Sequence, residues 1–288
     1  MKKLLALLMA CLMLVSFAAC GGNGEDETTT AAPEVTTEAP VNGEGEEVTE
    51  EEKTEAEEKT EKPTKEDGKK PTQSASKKPS TTAEVVEYFN KAVNGVKTGA
   101  KSVKQHSIVN YLAGSAKVGS GLTFIYQTVL GGDKWLDGML QKNSTGSATY
   151  TGADIKKNFP VENESWASKL TADDVKSATC TEANGVYTIK IVTKADAKTT
   201  SVKHGQGHNP KVFSVVLPAT INENIPGPAA GITGEAAMNY PSGTATITVD
   251  VATGHVLTAE YDAHWTINFD KMDTSLPLAT KFTYTINW

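Results

Sequence analysis

Arginine is absent from all 288 residues, so each of the 28 basic residues is a lysine. That excludes bidentate carboxylate or phosphate clamps, arginine fingers and guanine-reading side chains, all of which need the planar guanidinium fork. Cysteine is nearly absent as well. Cys11, Cys20 and Cys180 are the three in the chain, too few for a disulfide framework. Catalytic signatures are missing: there is no GxSxG, HExxH or EF-hand pattern, and Gly114-Ser115-Ala116-Lys117-Val118-Gly119 lacks the ending of a phosphate-binding loop. No cofactor is therefore expected. A net charge of −7 argues against nucleic acid as a partner.

What is present falls into three unequal pieces. Lys2 and Lys3 precede a run from Leu4 to Phe17 that is apolar apart from Ser16. The run is shorter than the roughly 20 residues a spanning helix needs, and the basic start with small residues after it reads as an export signal over residues 1–19. The stretch Ser16-Phe17-Ala18-Ala19-Cys20, followed by Gly21-Gly22, resembles the lipobox of bacterial lipoproteins, although Phe17 stands where leucine is usual. The resemblance implies cleavage before Cys20 and a diacylglycerol, with palmitate-type acyl chains, on its sulfur. Two acyl chains would hold the protein stably at a membrane.

Residues 20–82 form the second piece, dominated beyond Cys20 by Thr, Glu, Pro, Lys, Gly and Ser, without an aromatic residue. Val35, Val41 and Val48 are its large aliphatics, and their burial cannot offset the entropy of ordering so much backbone. A disordered tether is expected. A flexible chain of this length has an end-to-end distance of roughly 45 Å, and the excess of Glu extends it further.

The third piece, residues 83–288, carries every aromatic residue except Phe17 and has as many lysines as acids. It is long enough to build a single core without disulfides. Thr81 and Glu84 form a capping box ahead of Val85, Phe89, Val93 and Val96, which recur at helical spacing. Leu122–Leu130 and Trp135–Leu140 fit buried helical segments, within a stretch from 102 to 146 that has no clear period. Thr171 with Asp174 gives a second helix-start signature ahead of Val175–Ala178. Strand patterns follow at Tyr187–Ile191, Phe213–Leu217 and Ala245–Val251, and a tight hairpin is expected at Ala252-Thr253-Gly254-His255. From Leu257 to Phe269 the odd positions are apolar and the even ones polar, which defines one long strand with a dry and a wet face. Phe282, Tyr284, Ile286 and Trp288 repeat the device. These patterns place the domain in the α+β class, as an antiparallel, strongly curved β-sheet packed against N-terminal helices.

The segments Thr82–Asn90 and Ser168–Val175 and the Thr253-Gly254 turn resemble a group of uncharacterised Gram-positive lipoproteins. The expected shape is also similar to the LolA/LppX type of lipoprotein and carrier fold. The first likeness implies no activity, and the second is architectural and transfers no binding residue.

One constellation has ligand-binding potential: the aromatic dry face of Tyr261, Trp265, Phe269, Phe282, Tyr284 and Trp288. Fully covered, it is core. Partly covered, it lines a cavity for an apolar small molecule or lipid, with the Ile225–Gly243 loop as its rim. His204 and His208 are four residues apart, but Gly205, Gly207 and Pro210 make their segment a loop, and no metal site is expected. Cys180 reads as a small core residue, and Asp173 and Asp174 as helix-start acids. No acid, base and nucleophile can be grouped. The expected function is that of a non-enzymatic binding or interaction module of the cell envelope, extracytoplasmic and held to the membrane by its lipid. Its partner would be an envelope protein or an apolar small molecule; the alternative is an apolar-ligand carrier.

Overall fold

A computed structural model describes residues 77–288. The export signal of residues 1–19, the lipobox Cys20 and the tether up to residue 76 lie outside the described residues. The domain is α+β: six helices and nine strands, the strands forming one antiparallel sheet that does not close.

Helix α1 (Thr82–Gly99) starts as its capping box requires. Thr81 Oγ1 accepts from the Glu84 N–H, and the Glu84 carboxylate accepts from the N–H groups of Thr81 and Ser80. These backbone bonds, led by that from Thr81, hold the Glu84 carboxyl down at about 2. Val85, Phe89, Val93 and Val96 form the buried stripe of the helix. Strand β1 (Ser102–Leu112) follows, then helix α2 (Ser120–Phe124), which widens into a π-helical turn at Ile125–Leu130. Helix α3 (Asp133–Lys142), strand β2 (Ala148–Thr151) and helix α4 (Ala153–Asn158) complete the N-terminal half. Strands β3 (Val175–Ala183) and β4 (Val186–Thr193) make a hairpin, and β5 (Asp196–Thr199) is short. After helices α5 (Pro218–Asn224) and α6 (Gly227–Thr233) come β6 (Ala236–Tyr240), β7 (Thr244–Asp250), β8 (Val256–Phe269) and β9 (Thr274–Asn287).

The two 14-residue strands are the spine. Strands β8 and β9 pair in unbroken register from Thr258↔Thr285 to Phe269↔Thr274, and β1 pairs along the other edge of β9. The far edge of β8 is shared: its first half pairs β7, which leads on to β4 and β3, while its second half pairs β6, which leads to β5. At the β7–β8 turn Gly254 takes φ +72°, a left-handed conformation that a side chain would oppose. The dry face is as alternation requires from Ala259 to Phe269. At the start of β8 a register shift opposite Thr248 and Val249 buries Val256 instead of Leu257.

Three local expectations fail. Val175–Ala178 is the start of edge strand β3 and not a helix. The Thr171–Asp174 capping box does form, but it closes only a 3-10 turn, because the next residues pair with β4. Phe213–Leu217 is irregular backbone leading into α5: Val215 and Val216 are both buried, which a strand with one wet face would not allow. The Ile225–Gly243 segment is not a loop rim, since it holds α6 and strand β6, whose Met238 and Tyr240 lie in the core.

Asp174 ties the two long irregular segments together. Its buried carboxylate accepts from Lys211 Nζ (2.8 Å), His208 Nδ1 (2.9 Å) and the Thr171 N–H (2.7 Å). Burial raises its pKa, but the bonds from Lys211, His208 and Thr171 outweigh that and hold it at about 2. A carboxyl depressed in the fold contributes stability above its unfolded pKa of about 3.9, and that contribution is lost as pH falls toward 2. Asp174→Asn is expected to destabilise by about 3 kcal/mol, because it leaves Lys211 without its partner. Urea unfolding at pH 7 tests the loss, and a pH 5 to 2 series on both proteins should show a shallower acid slope for the variant.

Candidate functional site

The aromatic stripe lies inside the domain. Tyr261, Trp265, Phe269, Phe282 and Tyr284 are buried to within 3 % of full coverage, and Trp288 is half-buried. Their cover differs from the helices expected. Phe159, just past α4, meets Tyr261 and Tyr284 edge-on at 6.1 and 5.3 Å between ring centroids, and Phe213 meets Tyr261 at 6.2 Å. The middle of the sheet is thus roofed by two irregular segments, roughly residues 159–171 and 200–217. Helix α1 packs toward β3, β4 and β8, with Gly99 lying against Trp288. Trp288 stacks flat on His255 at 4.0 Å and donates from Nε1 to the Val256 carbonyl. Two polar atoms on the stripe, Tyr261 Oη and Trp265 Nε1, are buried without a hydrogen-bond partner.

The remaining residues singled out in the sequence do not assemble. His208 belongs to Asp174, whereas His204 faces another way, so the pair does not converge. Among the described residues no group of three or more His, Cys, Asp or Glu is placed to hold a metal ion. Cys180 is a half-buried free thiol on β3, its pKa pushed up by burial. Gly119 is explained by packing, because a Cβ there would lie 2.1 Å from the Met272 carbonyl oxygen. On the wet face Tyr111 Oη donates to Asp262 (2.7 Å), and His264 Nε2 lies 3.2 Å from the same carboxylate oxygen.

A constellation absent from the sequence reading lies in the roof. A cavity of about 260 Å³ is bounded by Glu162, Asn163 and Glu164 on one side and by His204, Ser214–Leu217 and Thr220 on the other. Beneath it, Lys97 from the last turn of α1 is almost wholly buried. Its ammonium donates to the backbone carbonyls of Lys156 (3.1 Å), Val161 and Glu164 (2.8 Å). All three donors are spent on backbone carbonyls, one in α4 and two in the segment that follows it, so Lys97 is a structural peg and not a free cation. Burial pushes its pKa down to about 8, against the attraction of Glu162 and Glu164. Burial also pushes Glu162 up to about 8, with Lys97 opposing. His204 is pushed down by burial, and its Nδ1 is enclosed without a partner. The Ser214 hydroxyl accepts from the Glu162 N–H at 3.2 Å, which fixes one wall of the cavity to the other.

Glu162 and Glu164 come from a segment with no periodicity, and His204 lies 40 residues further on. Only the oddity of a lysine at a buried helical position, one residue after Val96, hinted at polar business beneath the roof. No family model, curated protein or solved structure matches this chain, so its function is argued from these residues alone.

Lys97→Met keeps the length of the side chain and removes the ammonium. It is expected to destabilise the domain by about 3 kcal/mol, because buried carbonyls lose their donor. Urea unfolding measures this; an unchanged midpoint would show that the ammonium does not hold the roof.

Proposed function

We propose that the protein is a lipid-anchored extracytoplasmic lipoprotein whose domain is a non-enzymatic binding module of the cell envelope. The anchor is Cys20, the tether is the acidic segment that follows, and the curved sheet is the rigid frame. The observation that carries the binding reading is the roof cavity. It is a recess lined by polar groups and laid over a filled apolar core, the arrangement in which a frame is rigid and its loops select the ligand. An enzymatic reading has less support, since the Ser214 oxygen is engaged by the Glu162 N–H and not by His204.

A second reading is a carrier of an apolar ligand against the dry face. Tyr261 Oη and Trp265 Nε1 favour it: buried donors without partners are costly, and a ligand that brought an acceptor to either would satisfy it.

Two experiments test these readings. Cys20→Ala is expected to move the protein from the membrane fraction to the soluble extracytoplasmic fraction and to abolish labelling by a palmitate analogue. Continued membrane fractionation of the variant would refute the anchor. Native mass spectrometry of the full chain, purified from its own host and then extracted under denaturing conditions, should show no stoichiometric lipid beyond the covalent one. A retained apolar molecule would replace the first reading with the carrier.

A further inference from the structure

We propose that the free edge of β3 pairs with the same strand of a second copy of this chain, antiparallel about a two-fold axis through Thr179, so that two sheets join edge to edge. The inference starts from the strand order β2-β1-β9-β8-β7-β4-β3, which leaves β2 and β3 at the ends. Strand β2 has four residues, a short edge of the kind that discourages pairing, whereas β3 has nine and no proline. Among the described residues β4 is its one strand partner. Ser177, Thr179 and Thr181 are exposed, while Ala178 and Cys180 pack against the core and stay partly open.

Which backbone groups face outward follows from the hairpin. Asn184 and Gly185 take φ 53° and 74°, a two-residue turn of the primed type, which makes Ala183↔Val186 a hydrogen-bonded pair. Counting back in alternation, Thr181 and Thr179 bond to β4, whereas Glu182, Cys180 and Ala178 turn N–H and C=O to the free edge. Self-pairing matches these positions in more than one register, and charge selects among them. Centred on Thr179, Lys176 meets Glu182 of the second copy, Ser177 meets Thr181 and Ala178 meets Cys180, each twice by symmetry. Centring on Cys180 sets Glu182 against Ala178, and centring on Ala178 sets Lys176 against Cys180; both lose the two ion pairs. The bulge between Val175 and Ser177 ends the regular edge on that side, so the Lys176 contact is one of side chains. Neither Lys176 nor Glu182 has an ion-pair partner among the described residues. Opposite charges directly across a seam stabilise it, and the small Ala178 and Cys180 complete each other's cover.

The test is sedimentation equilibrium and thiol trapping of the full chain carrying Cys11→Ala, Cys20→Ala and Cys180→Ala. A monomer–dimer equilibrium is expected; a monomer at every concentration would overturn the proposal. Thr179→Cys in this background should give a reducible dimer on mild oxidation, because a non-hydrogen-bonded pair on the axis lies about 4.5 Å apart between Cα atoms, within disulfide reach. Thr181→Cys should not, since its two copies would be roughly 14 Å apart. Trapping at both positions alike, or at neither, would overturn the seam. Glu182→Lys and Lys176→Glu should each weaken dimerisation by about tenfold, as two cross-strand attractions become repulsions, and the double reversal should restore it. A double reversal as weak as the single ones would overturn the register. Sedimentation and trapping need no charge variant and so survive a reversal that fails to fold. Neither Cys20 nor the roof cavity enters the argument, and failure here leaves the anchored module standing.

Discussion

The ladder between β8 and β9 is the interaction on which the rest of the domain depends. Twelve consecutive register pairs join them, and every other strand reaches the sheet through one of the two. A strand of 14 residues spans roughly 46 Å, longer than the five-residue β6 or the seven-residue β7 can follow on its other edge. The chain solves this by giving β8 two partners on the same edge, β7 and then β6, with Pro241-Ser242-Gly243 between them. A one-residue slip between β8 and β9 would put Tyr261 and Trp265 on the face opposite to Phe282 and Tyr284 and send one set into solvent, so the hydrophobic pattern itself locks the register.

The second constraint is that irregular backbone, not helix, covers the middle of the sheet. Segments of this kind carry N–H and C=O groups that find no ladder, and each must be paired where it is buried. The domain meets that demand with side chains of distant elements. Asn94 on α1 accepts from the Ala167 and Ser168 N–H groups and donates to the Ser168 carbonyl. Asn209 donates to the Lys194 carbonyl, and Lys97 takes three carbonyls at once. Helix α1 therefore does two jobs. Its valines and Phe89 fill the core, and its polar residues on the adjoining face act as the missing hydrogen-bond partners of the roof.

This explains what was legible in the sequence. Where a residue's neighbours are set by period alone, as in β8, β9 and the capping box of α1, the pattern identified element and face together. Strand β1 escaped because a bulge between Gln105 and Ser107 breaks its alternation and because Gln105 and Asn110 occupy inward positions. Both are satisfied inside the fold, Asn110 accepting from Thr280 and Gln105 from Tyr150. Polar residues with buried partners look like loop residues until the partner is known. Phe213–Leu217 failed in the opposite way, an apolar run whose burial comes from plugging a roof and not from joining a sheet. The aromatic stripe lies on the face that the alternation indicates, whereas the roof cavity was not legible, since its walls come from loops distant in sequence that are brought together by the packing of Phe159 and Phe213 on Tyr261 and by the Glu162–Ser214 hydrogen bond.

The chemistry of the cavity follows from the same economy. A buried lysine is tolerable only when all its donors are matched, and here they are matched by backbone carbonyls of α4 and of the loop after it. That satisfies the backbone but leaves the carboxyls of Glu162 and Glu164 with Lys97 as a neighbouring charge and not as a hydrogen-bond partner. Lys97 opposes the shift at Glu162, yet burial prevails there and lifts its carboxyl to about 8. The roof thus holds irregular backbone over an aromatic core with one cation, whose donors go to carbonyls and not to the carboxyls beside it.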